Sequence, residues 1–210
     1  MKRLFILLAI PLIFACKKKI QKHAGHIQLE AAVYNDPTND LYNSQLLPVS
    51  DLYFMGERFI EKIDYHTDSL NIPKFGLIEN GKVILANTLD ELSSSNHTLD
   101  VPEKKYGALF SLPPVPDYER REAMNDTTFD GYNYKRVRIV TDSAYTVFYI
   151  HQTDTILPFS LAPQIDNDYK GVLNRIDTYD KMSDRFVSLR MTVTDTIPQS
   201  IYNHLKIEEE

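Results

Sequence analysis

From about residue 29 onward, β-branched and aromatic residues dominate the chain, and no long apolar stripe with helical spacing is present. Residues 185–195 show the pattern most clearly, because apolar and polar residues alternate there with period two. The apolar set is Val187, Leu189, Met191 and Val193. Such alternation predicts antiparallel strands that turn one face toward a core. With 210 residues, 43% of them apolar and 25% charged, the chain has the composition of a single globular domain.

Two hairpins are predicted from turn chemistry. Asn80-Gly81 lies between two apolar runs, and both central residues of a type I′ turn need the positive φ that Asn and Gly accept. Asp142-Ser143 separates residues 129–141 from residues 144–151, and both of these segments carry apolar groups on both faces. We therefore expect the second face of that hairpin to be covered by helices, loops or a ligand.

The remaining segments complete a prediction of about eight strands. Residues 28–34, 106–112 and 171–179 are predicted strands, and residues 52–66 are predicted to be one long strand bent at Gly56. A short helix is predicted over residues 117–125, and a terminal turn or short helix over residues 200–206. The predicted fold class is mainly β, as a single curved antiparallel sheet with a few short helices or loops over one face.

The first 15 residues have the features of a secretory signal peptide. Lys2 and Arg3 precede an uninterrupted apolar run, LFILLAIPLIFA, over residues 4–15. Twelve apolar residues are too few to cross a bilayer core, which takes about 20. A buried N-terminal helix is disfavoured, because Pro11 would interrupt it and a lysine run follows.

The segment Ile13-Phe14-Ala15-Cys16 resembles the lipobox of bacterial lipoproteins. The resemblance implies that Cys16 becomes the mature N-terminus, with a diacylglycerol on its sulfur and a further acyl chain such as palmitate on its amine. Two or more acyl chains hold a protein stably on a membrane. Cys16 is also the only cysteine, which excludes an internal disulfide framework.

The boundaries that follow are a signal peptide over residues 1–15, a lipidated Cys16 with a basic tether over residues 16–27, and a β-rich domain over residues 28–207. Residues 17–27 reach at most about 36–40 Å when extended. The resemblance to bacterial lipoproteins implies that Lys17, directly after the cysteine, is compatible with sorting to the outer membrane, so the expected location is the cell envelope, on the periplasmic face of the outer membrane. The membrane lipid is then a partner of Cys16.

The charge of the body argues against nucleic acid as a partner. Lys2, Arg3 and the four lysines of residues 17–22 all precede the body, so residues 23–210 carry 17 basic against 29 acidic side chains, a formal charge of −12. A surface of that sign repels phosphate backbones.

A second resemblance covers residues 127–205. Its marks are Asp130-Gly131-Tyr132 at a strand start, the crossing Leu157-Pro158-Phe159, the strand start Gly171-Val172-Leu173, and the ending Asp195-Thr196-Ile197-Pro198. This order is similar to LolA/LolB-like and GLPGLI-type exported half-barrel proteins. The resemblance implies a half-barrel sheet that holds acyl chains between its curve and covering helices.

We therefore expect a non-catalytic, membrane-anchored envelope lipoprotein that binds an apolar ligand such as acyl chains in a curved-sheet cavity. The alternative is a structural or interaction module that docks another envelope protein. The sequence does not indicate which residues would contact the ligand. It contains neither the Gly-x-Ser-x-Gly motif nor a phosphate-binding glycine loop, so we predict no enzymatic activity and no cofactor.

Several titratable and aromatic groups have ordinary interpretations at this point. His23 and His26 have no cysteine or carboxylate neighbours in sequence, and Asp166-Asn167-Asp168 lacks the Gly and Glu of a calcium loop, so no metal site is predicted. The tyrosines at 132, 134, 145 and 149 are expected to pack across strands, with a ligand wall as the alternative. The acids Asp51, Glu57, Glu61 and Asp64 are expected on a solvated strand face.

Overall fold

A computed structural model describes residues 19–34, 45–46, 49–64, 73–94, 98–104, 107–112 and 114–206. The predicted signal peptide, Cys16, His66 and His97 lie outside these residues.

The described residues form strands, three short α-helices and two 3-10 turns. The strands are β1 (Ile20–Gln21), β2 (Ala24–Tyr34), β3 (Gln45–Leu46), β4 (Val49–Met55), β5 (Arg58–Asp64), β6 (Phe75–Glu79), β7 (Lys82–Ala86), β8 (Thr98–Asp100), β9 (Glu122–Phe129), β10 (Tyr132–Val140), β11 (Ala144–Gln152), β12 (Thr155–Ile156), β13 (Gly171–Asp180) and β14 (Arg185–Thr194). The helices are α1 (Leu89–Ser94), α2 (Pro163–Tyr169) and α3 (Gln199–Leu205). None of the described helices is long and apolar enough to cross a membrane.

Twelve of the strands make one open antiparallel sheet. Its order is β8-β7-β6-β5-β4-β2-β14-β13-β11-β10-β9, and β3 adds to β2. The pairing of β14 with β2 over nine residues joins the two ends of the chain at the centre of the sheet. Eleven strands side by side accumulate enough right-handed twist to curl the sheet. The predicted mainly β class, with a single curved antiparallel sheet and a few short helices, is confirmed.

One face of the sheet, the concave face, carries the larger core. Phe54 of β4, Phe59 of β5 and Ile150 of β11 are among its buried residues, which come from every strand between β7 and β10 in the sheet order. Two segments lie across these residues. We call the described residues of the range 101–118 the first cover segment and residues 157–169, which include α2, the second cover segment.

The opposite face is covered on one half only. Tyr53, Ile60 and Leu77 alternate with the concave set and pack against Leu92 of α1 and Ile201 of α3. Strands buried on both faces need apolar residues at successive positions, which explains the uninterrupted apolar runs over residues 52–55 of β4 and 83–86 of β7. Cover is therefore present on both faces, rather than on one as the sequence indicated.

The predicted hairpin around Asp142-Ser143 is confirmed by the pairing of β10 with β11, and two glycine-containing turns test the other predictions. Asn80 and Gly81 have φ of 50° and 74° and join β6 to β7, so the predicted Asn-Gly hairpin is confirmed. Gly56, at φ 62°, does not bend one long strand; it begins a two-residue turn between β4 and β5, with Met55 opposite Arg58. The prediction of a single strand over residues 52–66 was therefore wrong.

The region between β8 and β10 also differs from the sequence prediction. Residues 107–112 are not a strand, because Gly107 takes φ 72° and turns the chain across the concave face. The helix predicted over residues 117–125 is a single 3-10 turn, Tyr118–Arg120, followed by β9. The short helix near the C-terminus is present as α3.

The residues after the basic run belong to the sheet structure. Ile20 donates its N–H to Asp154 O at 2.8 Å, and Lys22 donates to Ile156 O at 3.0 Å. β2 then begins at Ala24, ahead of the boundary at residue 28 that the sequence suggested. Of the tether expected over residues 16–27, residues 20–27 therefore pack against the body.

Asp166 fastens the second cover segment to the sheet. Its Oδ1 accepts the N–H of Leu173 in β13 at 2.7 Å, and its Oδ2 accepts the hydroxyl of Ser160. Burial raises the pKa of Asp166 above its usual 3.8, although both hydrogen bonds lower it.

We predict that Asp166→Asn changes the pH dependence of stability in a defined direction. A folded-state pKa above the unfolded one contributes stability that is fully present below the unfolded pKa and is lost as the pH rises through the folded pKa. The free energy of unfolding of the wild type, relative to Asp166→Asn, should therefore increase between neutral pH and about pH 4. Urea unfolding at both pH values measures this difference. The same substitution at exposed Asp126 controls for the loss of one charge, and an unchanged difference for Asp166→Asn contradicts the prediction.

Candidate functional site

The concave face has a buried ion pair at its centre. Glu61 of β5 points inward beside Phe59, and its Oε2 lies 2.7 Å from Lys104 Nζ, with both side chains almost fully buried. Lys104 also donates to Ala108 O at 2.6 Å, and Ala108 donates its N–H to Glu61 Oε1. Glu61 was expected on a solvated strand face. That expectation was wrong, because β5 begins after the turn at Gly56 and its inward-facing positions include both Phe59 and Glu61.

This arrangement ties the first cover segment to the sheet. A Cβ on Gly107 would overlap with Glu61 Oε1, so only glycine fits between the carboxylate and the backbone there. Burial lowers the pKa of Lys104 from its usual 10.5, and the neighbouring Glu61 opposes that shift.

Aromatic contacts complete the closure of the centre. The centroid of the Phe110 ring lies 4.9 Å from the ring centroid of Phe59 in the sheet and 5.2 Å from that of Phe159 in the second cover segment. Both contacts are edge-on. Tyr118 donates its hydroxyl to Asp168 of α2 at 2.8 Å. Burial is the main reason that the pKa of Tyr118 is raised to about 12, and this hydrogen bond is the second reason. The two cover segments are thus joined to each other as well as to the sheet.

Beyond this closed centre, a cavity of about 520 Å³ remains under the first cover segment, between Leu112 with residues 114–117 on one side and the strands β10, β11 and β13 on the other. We call it the concave cavity. Its walls include Leu112, Val115, Ile139, Phe148, Leu161 and Ile176. The hydroxyls of Thr146 and Thr178 also line it, and they satisfy each other at 3.1 Å. Asp117 is the one carboxylate on its described lining, and its Oδ1 lies 3.8 Å from Arg120 Nε.

A second pocket, of about 380 Å³, lies at the other end of the same strands. β13 and β14 are paired from Arg175–Arg190 to Asp180–Arg185, and they separate beyond Arg175. We call the resulting pocket the strand cleft. Asn174 bridges the gap by donating to Met191 O at 3.1 Å, and Lys22, next to β1, lies at the margin.

The predicted tyrosine packing is present in part. Tyr134 stacks on Phe129 with ring centroids 3.9 Å apart, and Tyr149 meets the edge of Phe129 at 5.7 Å. Tyr132 is 55% exposed, lies edge-on to His151, and lines the strand cleft together with Tyr134. The cluster thus provides both cross-strand packing and one wall of a pocket.

A hydrogen-bonded histidine was missed by the sequence analysis. His26 Nε2 lies 2.8 Å from Asp51 Oδ1, and its Nδ1 lies 3.3 Å from Thr194 Oγ1. These residues come from β2, β4 and β14, which are far apart in sequence, and only the pairing of strands brings them together. His26 stacks on Tyr53 at 4.5 Å.

The carboxylates and histidines do not form a metal-binding cluster in the described part of the chain. Within those ranges, no three His, Cys, Asp or Glu side chains converge on a common point. Asp166-Asn167-Asp168 lies inside α2, where Asp166 holds β13 and Asp168 accepts from Tyr118.

Comparisons with known proteins give likenesses to solved structures only. No family model matches the chain, and no curated protein matches it. A crystal structure described as an outer membrane lipoprotein-sorting protein domain from Vibrio parahaemolyticus is 11% identical over 87% of this chain and 91% of that one, with a TM-score of 0.28. At that score the likeness says nothing about the ligand of this chain.

We predict that Lys104→Met lowers the free energy of unfolding by about 3–5 kcal/mol, because it leaves the Glu61 carboxylate buried without its cation. The double variant Glu61→Gln/Lys104→Met should recover a large part of that loss, since no buried charge remains and the introduced amide can still accept from the Ala108 N–H. Urea unfolding of the wild type, both single variants and the double variant gives the coupling energy. Additive losses would show that the pair does not act as a unit.

Proposed function

We propose that this protein is a non-catalytic envelope lipoprotein that binds an apolar ligand, such as an acyl chain, in the concave cavity. The observation that supports this most directly is the apolar lining of the cavity beneath the proline-containing first cover segment. Its volume of about 520 Å³ lies within the range of about 300–1,000 Å³ that is usual for small-molecule sites.

The lining favours apolar binding over catalysis. Asp117 is its one carboxylate, and it carries no histidine, lysine, arginine or cysteine among the described residues. Each methylene group that moves from water into such a lining contributes about 0.8 kcal/mol. The hydroxyl pair of Thr146 and Thr178 is already satisfied, so it makes no demand on a ligand.

Docking of another envelope protein is the second candidate, and one observation favours it. Leu112, which lines the concave cavity, is 39% exposed, and Leu109 of the same cover segment is 41% exposed. Exposed apolar side chains of this kind often mark contact surfaces when they are contiguous. Uptake of lipid by the isolated body separates the two candidates.

We predict that Ala144→Phe abolishes ligand retention, because Ala144 lines the concave cavity and shares the inward face of β11 with Thr146 and Phe148. Val140→Phe is the matched control, since Val140 is 41% exposed and alternates with the inward-facing Ile139. Residues 20–210 of each variant would be weighed by native mass spectrometry after incubation with palmitate and with phospholipid. Thermal unfolding would check that both variants are folded.

Bound lipid in the wild type and in Val140→Phe, with at least a tenfold lower bound fraction in Ala144→Phe, is the expected result. A wild type that takes up no lipid would overturn the proposal and leave protein docking as the function to pursue. Equal uptake by Ala144→Phe would place the ligand elsewhere.

The same proposal includes the anchor. We infer that Cys16 carries the diacylglycerol and the acyl chain, and that the body lies at the periplasmic face of the outer membrane. Cys16→Ser should leave the signal peptide uncleaved and remove the lipid, whereas Lys19→Ser should retain both processing and lipid. Mass spectrometry of the N-terminal peptide and membrane fractionation measure this. An unmodified Cys16 thiol in the wild-type protein would contradict the inference.

A further inference from the structure

We propose that the strand cleft binds a small organic monoanion, namely a carboxylate attached to a ring-shaped or short apolar body. This site is separate from the concave cavity, because the two pockets lie at opposite ends of β11 and β13 and share no lining residue.

The first argument is a like-charge pair. Arg175 of β13 and Arg190 of β14 are directly opposite each other in the ladder, and both line the cleft. Like charges in directly opposed positions destabilise a pair of strands. Both guanidinium groups remain charged at any physiological pH, so the repulsion cannot be relieved by losing a proton.

The two arginines differ in how they are held. Arg175 Nε lies 2.8 Å from Asp177 Oδ1, and its guanidinium lies 5.1 Å from the centre of the Tyr149 ring. Asp177 is buried and also accepts from Ser188 at 2.7 Å, so Arg175 is fixed in place. Arg190 is half-buried and forms no ion pair with any residue in the described part of the chain; its ladder partner Glu30 is exposed. Arg190 is therefore the cation that is free to bind a ligand.

A guanidinium group suits a carboxylate, because its planar fork donates two parallel hydrogen bonds to the two oxygens. The other charges at the cleft limit the ligand to one negative charge. Lys22 is paired with Asp195, and Asp130 at the margin would repel a second anionic group.

The rest of the lining defines the body of the ligand. Leu157, Val172 and Met191 supply apolar surface, and Tyr132 stands half-exposed on the aromatic wall, where it can meet a ring edge-on or stacked. The Oδ1 atom of Asn174 is buried with no hydrogen-bond partner among the described protein atoms. The cleft of about 380 Å³ thus combines one unpaired guanidinium with apolar and aromatic walls, a combination usual in small-molecule sites.

Phenylacetate and its neutral isostere phenylacetamide are the probes that test this inference. Titration of the body, residues 20–210, followed by NMR chemical shifts, should show saturable binding of phenylacetate with at least tenfold preference over phenylacetamide. Arg190→Gln should weaken phenylacetate binding at least tenfold and leave the weak binding of the amide unchanged. Arg185→Gln, at the far end of the same strand, removes an equal charge outside the cleft and should bind phenylacetate like the wild type.

Equal binding of acid and amide, no saturable binding of the acid, or equal weakening by Arg190→Gln and Arg185→Gln would each overturn the inference. Arg190→Lys adds a test of the fork, since a lysine that restores full affinity would show that a point charge suffices and that the bidentate contact is absent. Ala144→Phe should leave phenylacetate binding unchanged and Arg190→Gln should leave lipid uptake unchanged, so that failure of one proposal is distinguishable from failure of the other.

Discussion

The buried pair of Glu61 and Lys104 is the contact on which the closed part of the molecule depends. A curved sheet with an apolar concave face must be covered, and here the chain covers it with its own segments. The first cover segment has no strand or α-helix over residues 107–112 to organise it. Its position is set instead by the contacts of Glu61 with Lys104 and with the Ala108 N–H, in a space where Gly107 alone fits. The desolvation of two charges is costly, and the hydrogen bonds that both ends make offset that cost and fix one position of the segment.

This closure divides the concave face into a filled centre and a hollow end. At the centre, Phe110 fills the space between the sheet and the second cover segment. At the hollow end, the first cover segment contains Pro114 and Pro116, which have no N–H to donate to a sheet, and no aromatic ring of that segment fills the space among the described lining residues. The concave cavity is thus a consequence of where the anchoring contacts stop. The two explanations of a curved apolar sheet, that it holds a ligand and that it buries its own cover, apply to different parts of this one surface.

Features of the fold that adjacent residues determine could be predicted from the sequence, whereas features that depend on contacts between distant residues could not. The Asn80-Gly81 turn and the period-two strand β14 were predicted because adjacent residues determine them. Gly56 was misjudged because a bulge and a tight turn begin with the same residue, and only the pairing of β4 with β5 distinguishes them. The prediction of a strand over residues 106–112 failed for a different reason. Their apolar content indicated a strand, but the carboxylate of Glu61, far earlier in the chain, determines the path of the described residues 107–112. Both pockets are of this second kind: Arg175 and Arg190 look like ordinary outward-facing residues until the ladder places them opposite each other.

The N-terminal strand relates the strand cleft to the proposed anchor. β1 pairs with β12, and Lys22 then lines the cleft, so the chain between Cys16 and the start of β1 at Ile20 spans at most about 14 Å. A tether of that length cannot let the body stand far from the bilayer, in contrast to the roughly 36–40 Å that an unpaired segment over residues 17–27 would allow. Ile20 and Ile156 are 66% and 41% exposed on this small parallel pair, and the proposed anchor would bring them close to the headgroups. If Cys16 carries the lipid as proposed, the cleft would be the pocket nearer the membrane, since the concave cavity lies at the opposite end of the strands.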